Sequence, residues 1–441
     1  MKNDLLIGEK IKQIRSSKGI SQENMARAIK SNQSYVYRLE LGQAECSTEM
    51  LAAIKKFLEI ENAPLLEHEI NIYRQRIWVW DSLLDVNRLE DAKEMQSEMS
   101  SVLKLPYEQD LHLLFTMVMT RLLLREHNFP KAEELMNNAD TLIENASNDA
   151  LFMYHRNKGA IYAYRGDNKN GLKHSLQAIN IKGSNIKPDG IILSNIGVLY
   201  LGLGRPYHAM KYLERALEES RSSHTHFYRS HISTALASLY TFMGEHTKAK
   251  ELFDESLNYA VSSNNVVQRA LAMSNLGLFY IKIGKYEEGV ELCNQALEYM
   301  QDSGLTDKRL TTNKGFSSSP QYKIVLFNKG LGLLKMKEFA KCQEVAAQGK
   351  ALADGDEKAS TMFDTLMHFT NLGDSSSEKH IENVAIPYFR AGDGFDRLLA
   401  IDLCKDLETH YRKKRAMTKA FAIATIARDI YEEMFIGEIV L

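Results

Sequence analysis

The sequence predicts an all-α protein: a small N-terminal helical domain followed by a long array of helical hairpins. Three observations carry this. Pro is scarce, at 7 of 441 residues, while Ala, Leu, Glu and Lys are plentiful, a mixture that favours helix. Apolar residues recur at helical spacing along most of the chain. A pattern of small, aromatic and turn residues returns at intervals of 38 to 40 residues, which marks a repeat architecture. The length exceeds one compact core, so a small domain plus an extended array is the expected organisation.

Bulk chemistry narrows the class. Hydrophobic residues make up 44% and charged residues 25%, ordinary for a folded soluble protein. Net charge is −2, yet residues 1–60 hold ten Lys and Arg against seven Asp and Glu. A mildly basic head on an acidic body excludes an indiscriminate polycation and suits a selective nucleic-acid reader. Cys46, Cys293, Cys342 and Cys404 are isolated in sequence, which disfavours a disulfide framework or zinc pair and fits a reducing cytoplasm. The opening MKNDLLIGEKIKQIR lacks an apolar core of signal-peptide length. Leu111–Leu124 is interrupted by His112, Thr116, Thr120 and Arg121, too polar and short for a membrane span.

The head occupies residues 1–60. Its first helix is expected over Leu5–Ser17, with Ile7, Ile11 and Ile14 on one face and Gly19 ending it. Ser21-Gln22-Glu23-Asn24 reads as a capped helix start, with Met25, Ala26 and Ile29 turned inward. A third helix begins near Ser31, buries Val36 and Leu39, and stops at Leu41-Gly42. Two further helical segments carry Met50, Leu51, Ile54, Phe57 and Leu58, giving a five-helix domain. A third helix placed in the major groove would present Gln33, Ser34, Tyr37 and Arg38 to base edges. Gln22 sits where helix amides suit a phosphate, and Lys10, Lys12, Arg15 and Lys18 are further phosphate candidates.

Ile11–Arg15, Gly19-Ile20-Ser21-Gln22-Glu23, Ala26 and Tyr35-Val36-Tyr37-Arg38-Leu39-Glu40-Leu41-Gly42 together resemble the Xre/phage-repressor family of helix-turn-helix domains. The resemblance covers residues 5–60. It implies a double-stranded operator as partner, a homodimer, and a backbone contact for Gln22. Tyr35 and Tyr37 are bulkier than the residues often found there, so the operator sequence does not transfer.

Residues 61–70 read as a linker, with Asn62-Ala63-Pro64 breaking the preceding helix. The array follows over 71–441. With a small residue as reference, an aromatic follows at +3, a turn residue at +7, and small residues at +12 and +19. Gly197, Tyr200, Gly204, Ala209 and Ala216 fit, as do Gly277, Tyr280, Gly284, Gly289 and Ala296. Ala237 and Gly159 head two more sets. Weaker references fall at Trp80, Thr120, Gly330, Phe369 and Glu408. The pattern resembles tetratricopeptide repeats, about nine of them, and implies a right-handed superhelix lined inside by the first helix of each pair. One interval of 53 residues contains a polar insert, Asp302–Gln321, read as a loop.

Two residues before the reference, Asn recurs as Asn157, Asn195, Asn275 and Asn328, with Ala235 between. A carboxamide offers donor and acceptor together, so a row of them can clamp an extended backbone whatever its side chains. The alternative role is to bond a neighbouring helix. Arg156, His231, Thr234, Ser238 and Phe327 are placed nearby as further peptide contacts. His224-Thr225-His226 lacks metal-binding spacing, no cofactor is expected, and no P-loop or nucleophile motif argues for an enzyme.

A repressor-type head joined to such an array resembles the RRNPP peptide-pheromone receptors. That resemblance implies a cytoplasmic homodimer whose operator affinity is altered by a short signalling peptide in the concave groove. The alternative is an array that binds a folded protein partner.

Overall fold

The computed structural model describes residues 2–103, 109–126, 128–181, 190–220, 226–262, 265–302 and 320–436. Apart from one isolated bridge, the regular structure among them is helical. Helices α1 (Lys2–Ser17), α2 (Gln22–Ala28), α3 (Gln33–Glu40) and α4 (Thr48–Phe57) form the head. Then come α5 (Glu67–Asp85), α6 (Leu89–Val102), α7 (Gln109–Arg125), α8 (Phe129–Ala139), α9 (Asn148–Tyr164), α10 (Asn168–Asn180), α11 (Gly190–Gly202) and α12 (Pro206–Ser220). They are followed by α13 (His226–Phe242), α14 (His246–Ser262), α15 (Val266–Lys282), α16 (Tyr286–Asp302), α17 (Pro320–Lys335), α18 (Phe339–Leu352) and α19 (Glu357–Thr370). α20 (Ser375–His380) and α21 (Ile386–Ala391) are joined by a π-helical turn, and α22 (Gly394–Lys413) and α23 (Met417–Tyr431) precede a last π-helical turn, Glu432–Ile436. The chain divides into two compact units, Met1–Ile161 with Gln177–Ile186, and Tyr162–Leu176 with Lys187–Leu441.

In the first unit the head has four helices, one fewer than expected. Ser47 caps α4 by accepting from the Met50 amide at 3.2 Å, Gln43–Cys46 is not helical, and only one helix follows. Ser21 and Asn32 cap α2 and α3 in the same way. A Cβ at Gly8 would overlap the Leu39 carbonyl oxygen, so α1 and α3 meet backbone to backbone. The core runs past the predicted boundary. Ile60, Ala63 and Leu65 are buried with Ile11, Val36 and Leu58. The Lys55 ammonium reaches the Glu69 carboxylate at 2.8 Å, and that carboxylate accepts from the Leu65 and Leu66 amides at 2.9 and 3.0 Å. The predicted linker is thus partly head core, and α5 begins tied to α4.

Beyond the head, α5, α7 and α9 share a buried polar node. Asp81 receives Arg156 at 2.6 Å and Arg121 at 2.8 Å, and Arg121 also pairs with Asp85. Burial raises the Asp81 carboxyl, but the two guanidiniums outweigh it and hold it down to about 2.

The hairpins keep the predicted register. The +7 residue takes left-handed backbone at Gly166, Gly204, Gly244 and Gly284, and equally at Asn87, Lys337 and Arg415, with φ between 58° and 88°. The amide one residue further bonds the carbonyl of the +3 residue in eight frames. Examples are Arg205 to Tyr200 at 2.8 Å and Glu338 to Leu333 at 3.0 Å. This bond satisfies the last carbonyls of each first helix. Where glycine is absent the sequence loses the signal, but the geometry persists. Left-handed backbone costs a non-glycine residue about 1 kcal/mol. Lys337→Gly is therefore expected to raise unfolding free energy by about 1 kcal/mol, read by urea titration; an unchanged or lower midpoint contradicts the turn assignment.

The small positions meet as expected. A Cβ on Gly277 would sit 2.8 Å from the Gly289 carbonyl oxygen, and one on Gly289 would sit 2.6 Å from that of Gly277. The Phe369 frame departs. Its turn comes early, at Asn371–Asp374, where Gly373 has φ 131° and Asp374 caps α20 through the Ser377 amide at 3.1 Å. Residues 303–319 of the predicted insert, and His224 and Thr225, lie outside the described residues.

The second unit closes on itself. A Cβ at Gly394, the start of α22, would overlap the Leu201 carbonyl oxygen at the end of α11, and the Arg397 guanidinium lies against Gly204. Lys282 of α15 pairs with Asp402 at 2.8 Å, and Lys335 of α17 pairs with Asp406. Lys405 of α22 lies 5.7 Å from the ring centre of Phe242 on α13, which also stacks at 5.3 Å on Phe435, beyond α23. One late helix can touch the ends of α11, α13, α15 and α17 only if those first helices line the inside of the curl.

Candidate functional site

On the head, Gln33, Ser34, Tyr37 and Arg38 are all exposed along one side of α3, and none of their side chains makes a hydrogen bond or ion pair with described residues. Tyr37 is 54% exposed. Val36 and Leu39 anchor the opposite side in the core. Tyr35 is held back, its hydroxyl donating to the Glu45 carbonyl at 2.8 Å. Beneath this surface Glu40 is a buried carboxylate. It accepts from Arg15 Nε at 2.5 Å and Nη2 at 3.0 Å, and from Gln22 Nε2 at 2.8 Å. Arg15 also donates to the Ile20 carbonyl at 2.5 Å. The expectation that Arg15 meets phosphate is therefore corrected: its charge is spent inside the head. Lys18 likewise donates to the Leu58 carbonyl at 2.5 Å. Gln22 remains half-exposed at the first turn of α2, oriented by Glu40.

In the array, the Asn row splits. Asn157 is buried and donates to the Met117 carbonyl at 2.7 Å. Asn328 is buried and donates to Ser274 Oγ at 2.9 Å. Both turn back onto the preceding first helix, so their expected clamping role is withdrawn. Asn195 and Asn275 are half-exposed and bond to no described residue. The residue that stands in the α13 frame where Ser274 stands in α15 is Thr234, and its hydroxyl is engaged with Ser256 at 2.7 Å.

The other expected contacts divide similarly. Arg156 belongs to the Asp81 node and Phe327 to the hydrophobic core, so neither is available to a ligand. The Ser238 hydroxyl donates to the Thr234 carbonyl at 2.9 Å, so both hydroxyls serve α13 and α14. His231 is exposed. Three residues after the Asn row come Val198, Ser238, Leu278 and Leu331, of which Val198 is 46% exposed. Seven residues after it come Phe242, Lys282 and Lys335, the side chains that meet α22. Offsets of three and seven keep one helical face, so carboxamides, an apolar strip and the α22 contacts form three bands of one wall. The third band was missed in the sequence because its partners lie about 70 to 160 residues away. Among the described residues, no group of His, Cys, Asp and Glu could hold a metal, and no helix is long and apolar enough to cross a membrane.

A helix-turn-helix family model matches residues 11–61, and tetratricopeptide models match 188–260 and 270–301. The chain is a helix-turn-helix protein with a tetratricopeptide array. Among curated proteins no sequence match was found. Solved structures share the fold. A Rap protein complexed with competence and sporulation factor aligns with TM-score 0.68 at 16% identity, over 83% of this chain and 99% of that one. The apo quorum sensor NprR from B. thuringiensis aligns with TM-score 0.61 at 16% identity, over 81% and 98%. NprR with its cognate peptide NprX aligns with TM-score 0.59 at 18% identity, over 81% and 99%. At these identities the likeness is one of fold: the chain shares the fold of the Rap and NprR structures.

Proposed function

We propose that the protein is a cytoplasmic, dimeric quorum-sensing transcriptional regulator. Its head binds operator DNA through Gln33, Ser34, Tyr37 and Arg38, with Gln22 on the backbone. A short linear peptide on the inner wall of the array alters that binding. The observation that carries the peptide reading is the pair of unanswered carboxamides, Asn195 and Asn275, on one face of α11 and α15. Packed helices lie about 10 Å apart, so two repeats span about 20 Å, which an extended chain covers in about six residues. NprR, which shares the fold, is seen with a cognate peptide.

Direct readout sets the first test. Arg38→Ala and Gln33→Ala should each cost about 1–3 kcal/mol on the cognate operator and relax base preference at one position. Fluorescence anisotropy against the operator and single-base variants reads this. Equal affinity on every sequence would remove α3 as the reader. Mass spectrometry of the natively purified chain tests the ligand class. A co-purifying short peptide supports the reading, whereas a stoichiometric folded protein on the array replaces it with a protein-docking role.

A further inference from the structure

The wall that carries Asn195 and Asn275 is not open along its whole depth. α22 lies across its third band, reaching the ends of α11, α13, α15 and α17 in turn. The contacts are of three kinds. At α11 the fit is steric: Gly394 admits the Leu201 carbonyl oxygen and has no room for a Cβ, and the Arg397 guanidinium lies over Gly204. At α13 it is a cation against a ring: Lys405 Nζ lies 5.7 Å from the centre of the Phe242 aromatic ring, which also stacks at 5.3 Å on Phe435 from beyond α23. At α15 and α17 it is ionic, through Lys282–Asp402 and Lys335–Asp406. These lysines stand on the carboxamide face, two turns or about 10 Å from the Asn row. Repeat arrays hold each hairpin mainly through its neighbours, so α22 reaching back across five hairpins needs bonds of its own.

We propose that α22 is a clasp that covers the lower wall and is fastened by the Lys282–Asp402 and Lys335–Asp406 pairs, so that the array exchanges between a clasped and an unclasped form. Both pairs are about one-third exposed at each end. They are therefore open to screening and to exchange, unlike the buried Asp81 node. The steric and aromatic contacts fix where the clasp sits; the ion pairs set how firmly it is held. A ligand spreading down from the carboxamides competes with α22 for the same face and favours the unclasped form by its differential affinity. That last consequence rests on the peptide reading of the wall; the clasp itself does not.

The experiment needs no ligand. Nitroxide labels at Tyr207→Cys on α12 and Phe421→Cys on α23, both exposed, report closure by pulsed electron resonance. Cys46→Ser removes the half-exposed native thiol, the other three being buried. The full chain should give a narrow distance distribution. Asp402→Lys with Asp406→Lys should lengthen it by about one helix diameter, about 10 Å. Adding Lys282→Asp and Lys335→Asp should restore it. Should the reversed variant not fold, 1 M salt, where screening acts within about 3 Å, should lengthen the wild-type distance instead. An unchanged distance in the folded reversed variant, or lengthening that the charge swap fails to restore, overturns the clasp. Unchanged peptide affinity in Asn195→Ala with Asn275→Ala, with the distance response intact, would instead overturn only the reading of the wall as a peptide site.

Discussion

Replacing Asn195 and Asn275 together by Ala is expected to reduce peptide affinity by on the order of 10³-fold, because four hydrogen bonds at about 1 kcal/mol each are lost. Titration calorimetry with short synthetic peptides encoded beside the gene measures it. The unfolding midpoint should stay within error of wild type, since neither carboxamide bonds to a described residue and Ala is the better helix former. Asn157→Ala and Asn328→Ala should behave in the opposite way. Each removes a buried bond, to Met117 or Ser274, and destabilises the fold by about 1–3 kcal/mol. Wild-type affinity in the Asn195/Asn275 double variant would refute the groove as the ligand site.

The second large effect lies in the first unit. Asp81→Asn should destabilise it by about 3–5 kcal/mol, because Arg121 and Arg156 lose their shared buried anion. Acid should act along the same line. The Asp81 carboxyl is held at about 2 in the folded chain, below its ordinary 3.8. A depressed folded value contributes stability that is complete above about pH 4 and fades as pH falls towards 2. Wild-type stability should therefore drop more steeply than that of Asp81→Asn between pH 4 and 2, read by chemical denaturation across that range. Parallel curves for the two proteins would mean that the node does not stabilise the fold.

The parts of the fold legible in the sequence were those with local causes. The turn glycines Gly166, Gly204, Gly244 and Gly284, the +3 tyrosines and the small residues at the crossings all act within one hairpin. They fixed the register even where Lys337 and Arg415 replace glycine. The head was legible for the same reason, as Ser21 and Asn32 cap the helices they precede. The parts that were not legible depend on what lies opposite. Asn157 and Asn195 occupy the same frame position, yet one finds a carbonyl on the preceding helix and the other does not. Arg156 reads as a peptide contact until Asp81, 75 residues earlier, is seen beside it. The Phe369 frame failed where Asp374 supplied an earlier helix start than the repeat predicts.

Glu69 has a bearing on how such proteins can be recombined. Because its carboxylate receives Lys55 and two amides ahead of α5, and Ala63 and Leu65 are buried with the reader's own side chains, the natural seam for a chimera lies beyond Glu69. A reader excised at residue 60 would leave part of its interior behind on the donor, so grafts onto foreign sensors should carry the first turn of α5 with them.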